Sequence, residues 1–343
     1  MDQFAPHPNS CFEGWYSKFD LPSGSHIALV ICTVPKATTL PPHMVSFTYY
    51  PVCGKPIFQR EHWVSHIERI TAGPNNAFEL RTDIGSMRVA PNGDTTYDLS
   101  APEWSLNATA TSRTPWLPGQ TTSTPESWLV HLPLPLHWHV HSLCSHAEYR
   151  LKIPSENVDE KDTAPLHQEK NWANSFPSAH TWVQVRDPST AHGITLAGGK
   201  ILGMHAFLLG YRSPKLNLDI TPPFALAVPI PIPLLSWSIA PFMMHDIDYS
   251  SRSISLTVCN LSYKIEVRAR APKEGGWFGL GSPFPEGHRK NFCSESFLAT
   301  VDVVVWERSV WRWTWREVET ARFESASLEF AGEYFPGRGE KGK

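Results

Sequence analysis

Two short clusters in this sequence combine ionisable side chains with aromatic ones. The first runs from Glu169 to Trp172 and places an acid, a base, an amide and an indole directly before an alternating apolar strand. The second runs from Phe12 to Tyr16 and contains Glu13. Such groups are costly to bury unless their polar atoms are paired or used. Each cluster could therefore supply an acid or a base within an aromatic pocket.

A purely structural interpretation competes with this one. A buried glutamate bonded to backbone amides or to a Trp indole would pin the end of a β-barrel, and for a single cluster that interpretation is favoured over catalysis. The sequence has two such clusters, at the openings of two predicted β domains. Their number favours the interpretation that both face a shared cavity.

Two further patterns are interpreted as structural. His137, His139 and His141 alternate on a predicted strand, which places their imidazoles on one face. Three imidazoles can bind zinc, but adjacent strand positions rarely converge on one ion, and no carboxylate is near in sequence. The glycines from Gly276 to Gly281 lack the βαβ context of a phosphate-binding loop, so they indicate a turn.

Composition excludes several classes of protein. The 343 residues carry a formal net charge of -3, which gives no electrostatic footprint for nucleic acid or an anionic membrane. The 14 Trp, 17 Phe and 9 Tyr suit a thick β core, with a minority left to line a ligand cavity. The six cysteines have no zinc-like spacing and are expected to be reduced thiols.

One apolar segment, Pro222–Met244, is long enough to suggest a membrane helix. Pro229, Pro231 and Pro233 remove donors at every second residue, which forbids a helix and favours an extended chain. The N-terminus shows no secretory signal. We therefore expect a cytoplasmic protein with no integral membrane segment.

Period-two alternation dominates the chain and predicts an all-β fold. Ile254–Val258 and Ile265–Ala269 alternate as an antiparallel hairpin with one buried face. Because meanders of this kind close into barrels or sandwiches, we predict two lipocalin-like antiparallel β-barrel or β-sandwich domains with an aromatic-lined cavity or interdomain cleft. Further strands are predicted at His26–Thr33, Trp128–Leu132, His137–Leu143, Thr181–Val185, Ile201–Leu208, Leu298–Trp306 and Ser327–Phe330.

The polar stretch Ser155–Ala164 is predicted to link the two halves. It separates an N-terminal β domain, residues 1–160, from a C-terminal β domain, residues 161–336. Residues 337–343 contain only Gly, Arg, Glu and Lys and are predicted to be a disordered tail. The window Trp311–Ala321 is the one predicted to form a helix.

The sequence resembles the tocopherol cyclase family from about Phe12 to about Phe335. We expect a member from secondary metabolism that lacks the plastid leader of the plant enzymes. The pieces that carry the resemblance occur in the family's order and rough spacing. They are Phe12-Glu13-Gly14-Trp15-Tyr16, His137-Trp138, Glu169-Lys170-Asn171-Trp172 with Phe176-Pro177, Trp182-Val183-Gln184, Ser236-Trp237-Ser238-Ile239-Ala240-Pro241, Val305-Trp306-Glu307-Arg308 and Leu328-Glu329-Phe330-Ala331-Gly332.

The resemblance implies a cyclase that adds a phenol oxygen across the alkene of a prenyl tail, without redox change. Such a reaction needs a proton donor, a site for the phenolate and a dry, shaped pocket. Glu13 and Glu169 are the candidate acids, because a dry site would raise their carboxyl pKa values. Lys170 is the candidate partner of the phenolate. The candidate substrate-binding residues are Asn171, which would orient a carbonyl or phenol, and the walls Trp15, Tyr16, Trp172 and Trp182.

Two other functions remain open. A pericyclase of the Diels–Alder kind would need positioning and one hydrogen bond but no strong acid, whereas a lipocalin-like carrier would bind a ligand without converting it. All three interpretations require a hydrophobic small molecule as the partner. The isomerisation needs no organic cofactor and no metal, so we expect neither.

Overall fold

In the computed structural model the chain forms two compact units, residues 1–176 with 283–289 and residues 177–282 with 290–343. The structure describes residues 3–52, 55–73, 77–174, 176–232, 235–239, 241–309 and 314–337, without the side chains of 229–232 and 235–239. The all-β prediction is confirmed, because strands make up nearly all of the regular structure in these ranges. Within them, no helix has the length and apolar character needed to cross a membrane.

The first eleven strands form one antiparallel sheet. Their order in it is β4-β3-β2-β1-β11-β10-β9-β8-β7-β6-β5. Two short 3-10 helices, Ser127–His131 and Pro154–Glu156, precede β10 and β11. The strands are β1 Phe12–Asp20, β2 His26–Thr33, β3 His43–Tyr50, β4 Phe58–His62, β5 Ile67–Thr71, β6 Phe78–Thr82, β7 Gly85–Val89, β8 Thr95–Ala101, β9 Trp104–Thr111, β10 Leu136–Ile153 and β11 Val158–Ala173.

This first sheet curls around an apolar core. Phe47 of β3 stacks on Trp104 of β9 with 4.0 Å between ring centroids. These strands are five places apart in the sheet, about 24 Å if it were flat. The contact therefore requires strong curvature. The inner face of the central strand β1 contributes Trp15 and Phe19 to the core.

The remaining strands form a second antiparallel sheet, in the order β17-β16-β14-β13-β12-β23-β22-β20-β19-β18, with β15 on β14 and β21 on β22. The ring centroids of His205 on β14 and His245 on β18 lie 4.5 Å apart. Because these strands are far apart in the strand order, this sheet must also curl. The strands are β12 Ala179–Asp187, β13 His192–Ile201, β14 Met204–Arg212, β15 Asn217–Ile220, β16 Leu226–Ile232, β17 Leu235–Ile239, β18 Met243–Asp248, β19 Ser253–Cys259, β20 Tyr263–Arg270, β21 Phe278–Phe284, β22 Gly287–Arg308 and β23 Trp315–Gly332.

Several strand predictions are confirmed. The hairpin of Ile254–Val258 and Ile265–Ala269 is β19 paired with β20. In the described part of the proline-rich segment, Leu226–Ile232 and Leu235–Ile239 are extended, as predicted, and form β16 and β17. The single strand predicted at Ile201–Leu208 is wrong in part: Ile201 ends β13 and Met204 begins β14, because Leu202 and Gly203 adopt positive φ angles and the chain reverses there.

Three predicted elements are wrong, and the turn predicted from Gly276 to Gly281 is strand β21 from Phe278 onward. The helix at Trp311–Ala321 is instead strand β23 from Trp315 onward, since pairing with the long β22 overrides local helix propensity. The strand at Trp128–Leu132 is replaced by a 3-10 helix at Ser127–His131, whose Leu129 N–H donates to the Glu126 carbonyl. Pro133 follows directly and cannot donate to a ladder.

The linker predicted at Ser155–Ala164 is also wrong. Asn157 turns the chain with φ 54°, and strand β11 starts at Val158 and pairs back onto β10. Its first residues are polar because they are exposed at the end of this hairpin. The predicted boundary at residues 160 and 161 therefore falls inside a strand, and a division into independently folding domains stays a prediction. Residues 338–343 of the predicted tail and Cys53 lie outside the described residues.

Candidate functional site

Strands β1 and β11 bring the two acid-aromatic clusters side by side in the first unit. Glu13 lies opposite Trp172 and Trp15 lies opposite Lys170 in the antiparallel register. Because side chains alternate between the faces of a sheet, these four residues lie on one face. The two clusters do not open two separate β domains, since both belong to this unit.

A buried ion pair forms the centre of this face. The Lys170 ammonium Nζ lies 2.9 Å from the Glu13 carboxylate Oε1, and both side chains are completely buried. Arg69 of β5 donates from Nη1 to the other oxygen, Oε2, at 2.8 Å. The backbone N–H of His7 also donates to Glu13. Glu13 therefore receives two cationic donors and one amide.

These contacts decide the charge of Glu13. Burial by itself would raise the pKa of this carboxyl, but hydrogen bonds from His7, Arg69 and Lys170 and the charge of Lys170 outweigh burial and lower the pKa to about 2. The expectation that a dry site would raise the pKa of Glu13 is wrong for that reason. Glu13 is an ionised carboxylate at neutral pH, a form that anchors cations and does not donate protons.

His7 completes the cluster. Its Nδ1 lies 2.7 Å from Lys170 Nζ, and its Nε2 lies 3.0 Å from Gln3 Oε1. Since an ammonium can only donate, Nδ1 is the acceptor and Nε2 carries the proton. Burial lowers the pKa of His7; Lys170 acts in the same direction, while Glu13 opposes it. The imidazole is therefore a neutral base in contact with a buried cation.

Aromatic rings surround the ammonium group. Lys170 Nζ lies 4.7 Å from the Trp15 ring centroid and 5.4 Å from that of Trp172. His7 stacks on Trp172 at 4.2 Å with the ring planes 2° apart, and His137 stacks on the same indole at 5.0 Å. The indole faces therefore add to the stabilisation of the ammonium charge at this point.

The other predicted site residues are not in this cluster. Tyr16 pairs with Glu169 on the opposite face of the same two strands, and Asn171 follows the same alternation. Glu169 is buried and lies 3.1 Å from Nε2 of His167, two positions earlier on β11. Trp182 is on β12 in the second unit. Glu169 and Lys170 are adjacent in sequence, yet they face different surroundings.

A cavity of about 670 Å³ lies next to the ion-pair cluster in the first unit. Its wall includes Phe4, Ala5 and Phe78. The Ala5 carbonyl accepts a hydrogen bond from Lys170 Nζ, and the Phe4 carbonyl accepts one from the Trp15 indole at 2.9 Å. The N-terminal segment therefore separates the cavity from the cluster by the thickness of one chain. This volume suits a small organic molecule.

Possible metal ligands lie elsewhere. In the described part of the chain, the ligand atoms of His137, His139 and His141 do not come together; His137 Nδ1 instead lies 2.8 Å from Glu126 Oε2. One group in the described ranges does bring three ligand atoms together. It consists of His180, Cys293 and Glu329 in the second unit.

Sequence reasoning missed two members of the cluster and dismissed a third. His7 precedes the first strand and belongs to no periodic pattern. Arg69 is 56 residues from Glu13 and reaches it only because the sheet curls. The sequence pattern favours a structural role for His137, although its position directly across from Trp172 follows from the pairing of β10 with β11. That pairing was not available from a single sequence.

Comparison with known proteins gives a family and a fold. A family model described as tocopherol cyclase-like matches residues 103–332. No curated protein sequence matches the chain significantly. Solved structures with the same fold include CghA with Sch210972, 12% identical, with a TM-score of 0.59, covering 94% of this chain and 88% of that one.

Two further structures have the same fold. An AttH candidate from Nitrosomonas europaea is 11% identical with a TM-score of 0.53, covering 96% of this chain and 95% of its own. Kievitone hydratase from Nectria haematococca is 10% identical with a TM-score of 0.52, covering 96% of this chain and 91% of its own. At these identities the likeness concerns the fold alone.

Proposed function

The chain belongs to the tocopherol cyclase-like family, and from that premise we propose that it is a cofactor-independent enzyme that cyclises a hydrophobic small molecule. The reaction is the addition of a phenol or enol oxygen across an alkene of the same molecule, as in a prenylated aromatic or polyketide. The observation that carries the proposal is the environment of Lys170 Nζ. This one cation contacts a carboxylate, a neutral imidazole and two indole faces.

The substrate oxygen binds at Lys170. The ammonium donates to the Ala5 carbonyl, and in the complex the phenol oxygen takes the place of that carbonyl. Glu13 keeps the ammonium charged and oriented, since its own pKa is lowered to about 2. A fixed cation at this point favours the phenolate over the phenol.

His7 transfers the proton from the phenol oxygen to the alkene carbon. Its neutral Nδ1 takes the proton of the phenol O–H, and the resulting imidazolium gives that proton to the less substituted alkene carbon. The phenolate oxygen bonds to the tertiary cation that this leaves, so that one C–O and one C–H bond replace the O–H and π bonds. The surroundings lower the pKa of His7, which makes its protonated form a stronger acid than an ordinary imidazolium.

The tertiary cation that develops on the alkene lies against aromatic faces. Trp15 and Trp172 already bind the Lys170 ammonium, and a carbocation is attracted by the same ring quadrupole. The 670 Å³ cavity, whose wall includes Phe4 and Phe78, holds the apolar tail.

A pericyclic reaction is the second candidate, and the ionised state of Glu13 favours it. An ion pair of this kind offers a hydrogen-bond donor to a substrate carbonyl but no carboxylic acid. Lys170 would polarise the carbonyl of a diene or dienophile, and the cavity would fold the chain. In this reaction no proton reaches carbon.

The two reactions are separated by incubation in deuterated water. A panel of prenylphenols and polyene substrates is converted, and product is isolated by liquid chromatography and mass spectrometry. Hydroalkoxylation places one non-exchangeable deuterium on carbon, whereas a pericyclic reaction places none. Tight binding without an isomeric product would instead identify a carrier, the third function that the sequence left open.

A pair of variants tests the role of His7. His7→Phe keeps a ring against Trp172 but removes the base, and we expect kcat to fall by about 10²–10⁴. His137→Phe is the comparison, because His137 also stacks on Trp172; since it also removes the contact with Glu126, circular dichroism must first show the native fold. Its kcat should stay within about threefold of the native protein. Equal losses in the two variants would show that packing on the indole, and not proton transfer, is what matters.

A further inference from the structure

The second unit contains a cluster of side chains that the proposed cyclisation does not use. Three neighbouring strands each contribute one residue: His180 from β12, Glu329 from β23 and Cys293 from β22. His180 and Cys293 both lie opposite Ala331 in the register, and Glu329 is two residues before that position. The alternation of the strands therefore points all three side chains to one face.

Their ligand atoms converge on one point. His180 Nε2 lies 2.5 Å from Glu329 Oε1 and 4.0 Å from Cys293 Sγ, and all three atoms lie within 4.8 Å of one another. Ligands of a tetrahedral zinc ion are separated by roughly 3 to 4 Å, given zinc-to-ligand distances of about 2.0–2.3 Å. Small side-chain rotations would bring the three atoms to that spacing.

A catalytic relay does not explain this geometry. In a Cys–His–Glu relay the thiol and the carboxylate contact opposite nitrogens of the imidazole. Here the sulfur and the carboxylate oxygen both face the same nitrogen, Nε2 of His180. Convergence of a thiol, an imidazole and a carboxylate on one point is instead the arrangement of a metal site.

The surroundings position the ligands. Ser282 Oγ lies 2.9 Å from Cys293 Sγ, and the Thr181 hydroxyl donates to the backbone carbonyl of Glu329 at 2.7 Å. Glu295 lies directly opposite Glu329 in the register and is completely buried. A divalent cation would offset the charges of the two carboxylates and stabilise the Cys293 thiolate.

We propose that His180, Cys293 and Glu329 bind one borderline-soft divalent cation of the Zn²⁺ class. A thiolate, an imidazole and a carboxylate together favour zinc over magnesium or calcium. The site is structural, because it ties three adjacent strands of the second sheet together. It differs from the metal-free protein expected from the sequence, and it does not depend on the proposed cyclisation.

Cobalt(II) is the probe that reports thiolate ligation directly. The purified full chain is treated with a chelator, dialysed and titrated with Co²⁺. We expect a thiolate-to-cobalt charge-transfer band in the near ultraviolet that saturates at one equivalent. Competition with Zn²⁺ should abolish the band, and Zn²⁺ should raise the thermal midpoint of unfolding. Absence of the band in the folded native protein would overturn the proposal.

Two variants and one control locate the site. Cys293→Ser should abolish the band, and Glu329→Gln should weaken Zn²⁺ binding by about tenfold or more. Cys259→Ser, a partly exposed thiol of the same unit, should leave the band and the affinity unchanged. A band that survives Cys293→Ser, or disappears in Cys259→Ser, would show that cobalt binds elsewhere. Circular dichroism of each variant excludes loss of fold as the cause.

Discussion

The two faces of strand β11 carry similar side chains in different surroundings. On one face, Lys170 is bound by Glu13 and His7 and is enclosed by two indoles. On the other face, Glu169 contacts His167 of its own strand. The four consecutive residues Glu169 to Trp172, which form one motif in the linear sequence, therefore belong to two different environments.

The difference shows where chemistry on a strand is assembled. A strand residue finds its partners on neighbouring strands and not at the next position in sequence. Lys170 pairs across to Trp15 of β1 and lies opposite His139 of β10. The acid-base pair of this protein is accordingly Glu13 with Lys170, 157 residues apart, and not Glu169 with Lys170.

The largest expected effect comes from breaking the ion pair on the Lys170 face. Lys170→Met leaves Glu13 buried with its closest ammonium removed, and we expect a loss of about 3–5 kcal/mol in the free energy of unfolding. Lys18→Met is the matched control on the opposite face. The partner of Lys18, Asp20, is one-third exposed and also contacts His26. Lys18→Met should therefore lower the free energy of unfolding by only about 1–2 kcal/mol. Urea denaturation measures both.

A double variant checks the cause of the larger loss. If the loss comes from the unpaired charge of Glu13, then adding Glu13→Gln to Lys170→Met should restore about 1–3 kcal/mol. The second substitution removes the charge that the first one stranded. Strictly additive losses would mean that the two side chains stabilise the unit independently, and the contrast between the two faces would then not be electrostatic.

A smaller effect is expected from acid. The pKa of Glu13 is lowered from 4.5 to about 2 by folding. Its contribution to stability is therefore complete above pH 4.5 and is lost as the pH falls toward 2. Between about pH 6 and pH 3 we expect Glu13 to account for about 2 kcal/mol of the lost stability.

Comparison with Glu13→Gln isolates this contribution. The variant is less stable at pH 6. Between pH 6 and about pH 3, however, its free energy of unfolding should fall by about 2 kcal/mol less than that of the native protein. Urea denaturation over this pH range measures the slope for both proteins. Parallel pH profiles would show that Glu13 is not held as a carboxylate by its cations.

The sequence predicts the strands well and the site only in part, for related physical reasons. Alternation with a period of two is local, so the β19–β20 hairpin and the strand at His26–Thr33 were readable from the chain. The segment from Trp315 was mistaken for a helix because its partner, β22, supplies the pairing that decides its conformation. The position of a strand can be predicted from the local sequence, whereas the strand it pairs with cannot.

The site depends on pairing and curvature more than on local pattern. Glu13, Trp15, Lys170 and Trp172 were named from their residue types, and they do lie on one face. Their separation from Tyr16, Glu169 and Asn171 follows from alternation alone and could have been drawn from the sequence. The role of Arg69 could not have been predicted from the sequence, because its contact with Glu13 depends on the curl of the whole sheet. The convergence of His180, Cys293 and Glu329 likewise depends on the order of three strands.

The smallest expected effect is the one that decides which face performs the chemistry. Glu169→Gln keeps the size of the side chain and an oxygen that can still accept from His167, so the loss of stability should be about 1 kcal/mol. Turnover should stay within about twofold of the native protein, because a group on the opposite face of β11 cannot reach a substrate held at Lys170. Steady-state kinetics, with urea denaturation to confirm the fold, provides the measurement. A loss of tenfold or more in kcat at native stability would restore Glu169 as the predicted acid and move the reaction to the face that carries Tyr16 and Asn171.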